Sequence, residues 1–467
     1  MTTKCAVKQA RNAKSNRFTL HLGVTARITG RLHFLRLAQM LPRNVVDREE
    51  GRTRMTAMHT DVHATAKPNT AKERYRTVII GGGTAGITVA ARLAQHGEEN
   101  IAIFEPSEKH YYQPLWTLVG AGLASADESV RSEADYIPEG VKWIKEFVEE
   151  IDPVAQTVTS RSGKKVGYDF LVVAPGIQLD WDRVPGLREA LKTDSVSSNY
   201  LFELAPKTAR LIENFRGGTA LFNHPLGAIK CAGAPQKIMY LACDHFQRRH
   251  VAKHSHVIFA SGGKAIFGVA EFRAVLEGVV ARYGIDTRFD HDLVEVHGDR
   301  KEAVFSRNVE GKIERVTIPY DIFHAVPHQS APDFIKRSPL ATPEGWAAAD
   351  KLTLQNPQYP NIFCLGDASS LPTSRTGAAI RKQAPVLVEN LLAFMNGKEL
   401  TAKYDGYSSC PLVTSHDHVL LAEFDYDGKP TPSIPYINTQ KERYDMYLLK
   451  RYGLPFLYWQ LMLRGRA

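Results

Sequence analysis

Apolar positions along the chain fall into a repeated strand and helix alternation. Residues 75–80 form a short apolar run and a Gly-rich turn follows. Residues 87–96 then carry apolar side chains at helical spacing before a second apolar run at 101–104. Further short apolar runs at 168–173, 219–222, 256–260 and 361–365 predict buried strands, and the stretches 238–245 and 376–384 predict helices. Alternation of this kind predicts an α/β chain with parallel sheets. The pattern changes near the C-terminus. Residues 444–452 place Tyr444, Tyr447, Leu448 and Tyr452 among Lys450 and Arg451, and residues 454–463 have Gln460 as their one polar side chain. Ten apolar residues do not cross a bilayer, which needs about 20. Edged by Arg464 and Arg466, they suit an amphipathic segment lying in a membrane interface.

Composition adds two things. The 467 residues, 43% hydrophobic and 23% charged, are those of a globular chain of two or three domains. The net charge of +9 is not spread evenly: residues 1–76 hold 16 basic and 5 acidic side chains, and the remaining 391 hold 43 and 45. Residues 1–46 contain nine Lys or Arg and no acid, with Leu32, Leu35, Leu37 and Leu41 set among Arg31 and Arg36. That is the composition of a mitochondrial transit peptide, or of sequence upstream of a start at Met55 or Met58. Either way, residues 1–74 are expected to stay outside the fold. The near-neutral body disfavours a nucleic-acid partner. Five cysteines (Cys5, Cys231, Cys243, Cys364, Cys410) show no CxxC pair and no zinc spacing, so neither a disulfide framework nor a structural metal is expected.

The turn after the first strand is Gly81-Gly82-Gly83-Thr84-Ala85-Gly86, and Glu105 closes the second strand. Strand, GxGxxG, helix, strand and acid is the dinucleotide fingerprint. Gly81 permits the tight turn, Gly83 lets a pyrophosphate approach the backbone, and Gly86 lets helix and strand pack. Glu105 sits where a ribose hydroxyl is accepted. Two later segments, the strand ending Ala174-Pro175-Gly176 and the strand ending Gly366-Asp367, resemble the further signatures of the two-dinucleotide-domain flavoprotein reductases. That resemblance implies FAD, with Asp367 on the ribityl chain, in a discontinuous domain of residues 75–200 and 336–400.

A second nucleotide site is expected after the strand at 219–222, within residues 201–335. The chain reads instead Asn223-His224-Pro225-Leu226-Gly227-Ala228-Ile229-Lys230-Cys231-Ala232-Gly233-Ala234-Pro235. The βα frame survives without the glycines for a pyrophosphate, so this Rossmann-like domain is expected to bind no nicotinamide. Cys231 takes the place of that loop. An adjacent ammonium, Lys230, and a following helix N-terminus both favour its reactive thiolate form.

Taken together, KCAGAPQKIM at 230–239, LPTSRT at 371–376, YDGYSSCPLVT at 404–414, LAEFDY at 420–426 and the closing LYW and MLRG motifs resemble the sulfide:quinone oxidoreductases of the type that includes the mitochondrial enzyme. The likeness runs from about residue 75 to the C-terminus. It implies sulfide as electron donor, a persulfide formed on an oxidised cysteine pair, a small sulfur acceptor, and transfer of two electrons by way of FAD to a membrane quinone. It also implies a second redox cysteine directly after Gly366-Asp367, where this chain has Ala368. Cys364 and Cys410 are therefore the candidate partners of Cys231. The aromatic loop His110–Trp116, with Gln113, is placed by the resemblance near the flavin ring, and Lys382 on the helix after Thr376 is placed at its pyrimidine side. Residues 401–467 form the expected quinone and membrane region, with Phe456, Tyr458 and Trp459 as its contacts. The expected location is a membrane surface: the mitochondrial inner membrane if the leader is a transit peptide, otherwise a bacterial plasma membrane. Two other readings remain open, an NADH:quinone-type flavoprotein reductase (or a related thiol- or persulfide-oxidising flavoprotein) and an FAD-bound interaction protein of the apoptosis-inducing-factor type.

Overall fold

A computed structural model describes residues 73–467; the basic leader and Cys5 lie outside them. The first apolar run is strand β1 (Glu73–Ile80), whose last four residues are buried. It leads through the glycine turn into α1 (Thr84–Gln95) and on to β2 (Ile101–Phe104). Helix α1 buries Ile87, Val89, Ala90 and Leu93 against the sheet. Strand β3 (Lys142–Ile144) extends the far edge, and β4 (Val148–Asp152), β5 (Thr157–Ser160) and β6 (Lys165–Val173) follow. The order is β3-β2-β1-β6-β5-β4, with β1 parallel to both β2 and β6 and the β4–β5–β6 pairs antiparallel. Strands buried on both faces are continuous apolar runs, which is why β1, β2 and β6 were legible by composition.

The chain then crosses to a second sheet. Strands β7 (Val196–Ser197), β8 (Gly218–His224), β9 (Ser255–Ser261), β10 (Asp286–Arg288) and β11 (Ile322–His324) align in the order β7-β11-β8-β9-β10, all pairs parallel. Because β7 already belongs here, the second sheet starts a few residues before position 201. Helices α2 (Ala234–Arg248) and α3 (Ala270–Tyr283) pack on it, and a three-stranded antiparallel meander within residues 291–319 is inserted before β11. Strand β12 (Ile362–Cys364) returns to the first sheet, pairing Ile362 with Leu171 and Cys364 with Val173. The first domain is thus built from two separated stretches of chain, as expected. Helix α4 (Gly377–Met395) follows, capped by Thr376, whose Oγ1 accepts the Ala379 N–H at 3.1 Å.

The last part of the chain is a hairpin, β13 (Ser408–Val413) and β14 (Val419–Phe424), and then a helical run over 444–464 with two wide π-helical stretches, Leu449–Gly453 and Leu457–Leu461. Among the described residues no helix is long and apolar enough to cross a membrane. The run has two unlike faces. Tyr444, Leu448, Tyr452 and Phe456, four residues apart, are exposed. Tyr458 and Trp459 are buried, so they are not on the exposed face that Phe456 belongs to. Their rings fill the space beside His110, Tyr112 and Tyr136, with Tyr112 and Tyr458 centroids 4.6 Å apart and Tyr136 and Trp459 5.1 Å apart. Aromatic burial of this size fixes the run against the first domain.

Candidate functional site

The glycine turn ends β1 as a cradle. Gly81 holds φ +96°, and a Cβ there would stand 2.3 Å from the Ala174 carbonyl oxygen, so the ends of β1 and β6 touch through it. A Cβ on Gly86 would lie 1.8 Å from the Gly81 carbonyl oxygen, so helix and strand meet there. Gly83 is different: nothing lies within 4 Å of its Cβ position, leaving open space before the N-terminus of α1. Free amides and the positive end of the helix dipole face such a space, which suits a diphosphate. Glu105 accepts the Gly82 N–H at 2.8 Å and the Ser107 N–H at 2.7 Å. Burial pushes its carboxyl above the usual range.

Gly82 and Glu133 were not singled out from the pattern. A Cβ on Gly82 would meet Glu105 Cβ at 2.5 Å and Glu133 Oε1 at 2.8 Å, so two carboxylates press on one glycine. Glu133 is buried, and its Oε2 lies 3.0 Å from His110 Nδ1. His110 Nε2 meets Tyr458 Oη at 2.6 Å, and Tyr458 Oη meets Thr84 Oγ1 at 2.8 Å. The C-terminal run therefore reaches the first turn of α1. These partners lie 348 and 374 residues apart, beyond any local signal.

The sulfur centre lies at the start of α2. Cys231 holds φ +48°, a left-handed conformation that side chains disfavour. Its N–H donates to the Arg375 carbonyl at 2.8 Å and its carbonyl accepts the Ala234 N–H at 2.7 Å, so both sides of the residue are pinned. Cys410, on β13, brings its thiol to Cys231 as hydrogen-bond donor. That bond holds the Cys231 thiol well below its usual range against the effect of burial, with the Lys237 ammonium, 3.2 Å from Sγ, adding to it. The same bond, with burial, pushes the Cys410 thiol well up. Burial alone would lower Lys237, and the neighbouring thiolate reverses that and keeps it charged.

Cys364 is not part of this centre. It is wholly buried on β12, which pairs with β6 of the first sheet, and burial pushes its thiol up to about 12. Cys243, buried on α2, is likewise pushed up. Ala368, directly after Gly366-Asp367, is buried and carries no sulfur; of the described cysteines it is Cys410 that lies beside Cys231.

Lys450, read from sequence only as a polar edge of the C-terminal segment, is buried instead. Its Nζ donates to the Pro114 carbonyl at 2.7 Å, and burial together with the Lys237 charge lowers it to about 7. Lys230 donates to Gln113 Oε1 at 2.7 Å and lies over the rings of Trp116 and Tyr200, so the aromatic loop docks beside Cys231. Burial lowers Lys230 to about 8.

Gly366 holds φ +73° and Gly176 φ +75°, both turning the chain at the ends of strands of the first sheet. Asp367 follows Gly366 and feels the charges of Lys230 and Cys231; burial raises its carboxyl, opposed by Lys230. Arg375 Nε donates to the Asp367 carbonyl at 2.8 Å while the Arg375 carbonyl holds Cys231. Asp367, Arg375, Thr376 and Gln383 line one cleft at the start of α4. Lys382 is exposed, with its Nζ 5.7 Å from the Tyr407 ring, and is not among the residues lining that cleft.

Residues 75–213 match the model of the pyridine nucleotide-disulphide oxidoreductase family. The chain is 44% identical over 397 residues to the mitochondrial sulfide:quinone oxidoreductase of Mus musculus, covering 85% of this chain and 88% of the mouse protein. It is 45% identical over 401 residues to the mitochondrial sulfide:quinone oxidoreductase of Dictyostelium discoideum, covering 85% and 87%. The fold matches the crystal structure of the sulfide:quinone oxidoreductase of Aquifex aeolicus with a TM-score of 0.69 at 20% identity, over 84% of this chain and 92% of that one.

Proposed function

The chain belongs to the sulfide:quinone oxidoreductase family of flavoprotein oxidoreductases, and from that premise we propose how its own residues carry the reaction. The flavin-type cofactor of the family is, in this reading, FAD. The open space at Gly83 receives its diphosphate, Glu105 its ribose, and Asp367 with the Gly366 and Gly176 turns its ribityl side. When bound there, FAD supplies a two-electron acceptor next to Cys231.

The donor is sulfide and the working sulfurs are Cys231 and Cys410. In the oxidised pair, hydrosulfide attacks one sulfur; the S–S bond breaks, a new S–S bond forms to the sulfide sulfur, and the other cysteine leaves as thiolate. The thiol with the lower pKa is the better leaving group. Cys231 is that thiol, so the persulfide forms on Cys410 and the Cys231 thiolate is released against Lys237. Lys237, buried beside the half-buried Cys231, holds this charge in place, where partial removal from water strengthens the ion pair. The outer persulfide sulfur then leaves on a small nucleophilic acceptor, which returns Cys410 to its thiolate; re-forming the Cys231–Cys410 bond releases two electrons, which in this reading end on a membrane quinone.

The exposed face of Tyr444, Leu448, Tyr452 and Phe456 is the membrane contact in this reading, with Arg451 and Lys441 at its edge. The mouse and Dictyostelium relatives are named as mitochondrial enzymes, and we carry that location to this chain. The observation that carries the proposal is the meeting of Cys231 with Cys410 and Lys237, from elements 179 residues apart. Anaerobic addition of sulfide bleaches the flavin of the parent and not of Cys410→Ser, while Cys364→Ala bleaches at the parent rate. Equal bleaching of the Cys410→Ser protein sinks the proposal.

A further inference from the structure

The hairpin that carries Cys410 forms a two-stranded sheet of its own; among the described residues it shares no ladder with either Rossmann sheet. Its position relative to Cys231 comes from the packing of Cys410, Leu412, Leu420 and Ala422 in one core with α2, and from polar ties at its two ends. At the base, Thr376 Oγ1 and Ser408 Oγ are 2.9 Å apart and Ser408 Oγ donates to the Ser374 carbonyl at 3.2 Å, beside the Arg375 carbonyl that holds Cys231. At the tip, the residues between β13 and β14 are tied to α2. One carboxylate oxygen of Asp244 accepts the His416 backbone N–H at 2.9 Å, meets the His416 ring Nδ1 at 2.5 Å and accepts Arg248 Nε at 2.9 Å. Burial alone would raise the Asp244 carboxyl; the bonds from His416 and Arg248 hold it well below its usual range. His245 stacks on His416 at 6.3 Å, and Tyr283 Oη donates to the Thr414 carbonyl at 2.9 Å.

Helix α2 therefore touches both halves of the sulfur centre. In its first turn Lys237 meets Cys231, and seven residues on, about 10 Å along the axis, Asp244 grips the tip of the hairpin that bears Cys410. We propose that Asp244 and His416 are positioning residues of the sulfur centre: their contact sets the approach of Cys410 to Cys231, and through it the balance between dithiol and disulfide. This rests on the reading of Cys231 and Cys410 as the redox pair. Oxidation joins the two sulfurs and releases two electrons and the proton of Cys410, with the second proton that glutathione disulfide needs coming from water. In the test below glutathione disulfide takes these and becomes two glutathione molecules. Freeing the tip lets Cys410 spend less time beside Cys231, which lowers its effective concentration and disfavours the disulfide.

The test equilibrates the holoenzyme anaerobically over a series of glutathione ratios and counts alkylated Cys231 and Cys410 by peptide mass. Asp244→Ala and His416→Ala should each lower the dithiol to disulfide equilibrium constant about tenfold, a shift of about 30 mV for a two-electron couple. The double variant should shift no further than either single one, because both remove the same contact. Asp244→Asn, which keeps an acceptor of the same shape for the His416 N–H, should recover part of the shift and guards against loss of folding. A midpoint like the parent's in both single variants, with or without a lower melting temperature, overturns the proposal, as does an additive double variant. A parent that forms no disulfide between Cys231 and Cys410 overturns the redox-pair reading and this proposal with it. A parent disulfide with unshifted variants overturns this proposal alone.

Discussion

Cys410 reaches the sulfur centre through the missing side chain of Gly233: a Cβ there would stand 2.5 Å from the Cys410 sulfur and 2.6 Å from Leu412 Cδ2. Gly233 has an ordinary helical backbone, so its role is close approach and not conformational freedom. Gly233→Ala is expected to push Cys410 away from Cys231, at an overpacking cost of about 1–3 kcal/mol. The melting temperature should fall and sulfide-driven flavin bleaching should slow sharply. Bleaching at the parent rate would show that the two sulfurs need not meet.

The glycines of the first turn should separate by mechanism. Gly83→Ala places a methyl in open space, so the apoprotein should fold and melt as the parent does. Its flavin affinity should fall at least about tenfold, the equivalent of ~1.4 kcal/mol. Gly86→Ala drives a carbon into the Gly81 carbonyl and should yield little folded protein at all. Flavin titration of the two apoproteins, with circular dichroism alongside, checks both outcomes.

Cys231 should behave as a thiolate at pH values where an ordinary thiol, with a pKa near 8.5, is protonated. In the reduced protein its alkylation rate should stay level as the pH falls from about 9 through neutrality. Lys237→Met removes a charge that favours the anion, so the pKa rises and the rate should drop with falling pH across that window. Cys410→Ser weakens the hydrogen bond that is the largest cause of the shift and should move the profile in the same direction. Profiles that coincide with the parent's would remove Lys237 and Cys410 as the cause.

The two faces of the C-terminal run predict opposite phenotypes. Replacing Tyr452 and Phe456, both 62% exposed, by Ser should release the protein from anionic vesicles in a flotation assay and change its stability by no more than about 0.5 kcal/mol per substitution. Trp459→Ala should do the reverse, destabilising by about 3–5 kcal/mol with vesicle binding retained by whatever remains folded. Release of the Trp459→Ala protein with an unchanged melting temperature would restore that residue to the membrane face.

The sequence by itself determined the strands, the helices after them and the cradle glycines, because each of these is written in contiguous residues: buried parallel strands need unbroken apolar runs, and a phosphate turn needs glycines at fixed spacing. It also singled out Cys231, since a thiol standing where a nucleotide loop belongs is a local departure from a local pattern. Which sulfur meets Cys231 was decided only by the tertiary structure. Cys364 and Cys410 are equally plain in the chain; one is buried on the strand that pairs with β6 and the other is carried in by a hairpin that Gly233 admits. The same holds for the aromatic C-terminus. Its composition is apolar on every side, so periodicity could not say that Tyr458 and Trp459 close over His110 and Thr84 while Tyr452 and Phe456 are left outside. Lys450 is the sharpest case. A lysine among tyrosines reads as a surface residue until the fold buries its ammonium beside the sulfur pair, because burial is a property of what packs around a residue and not of the residue.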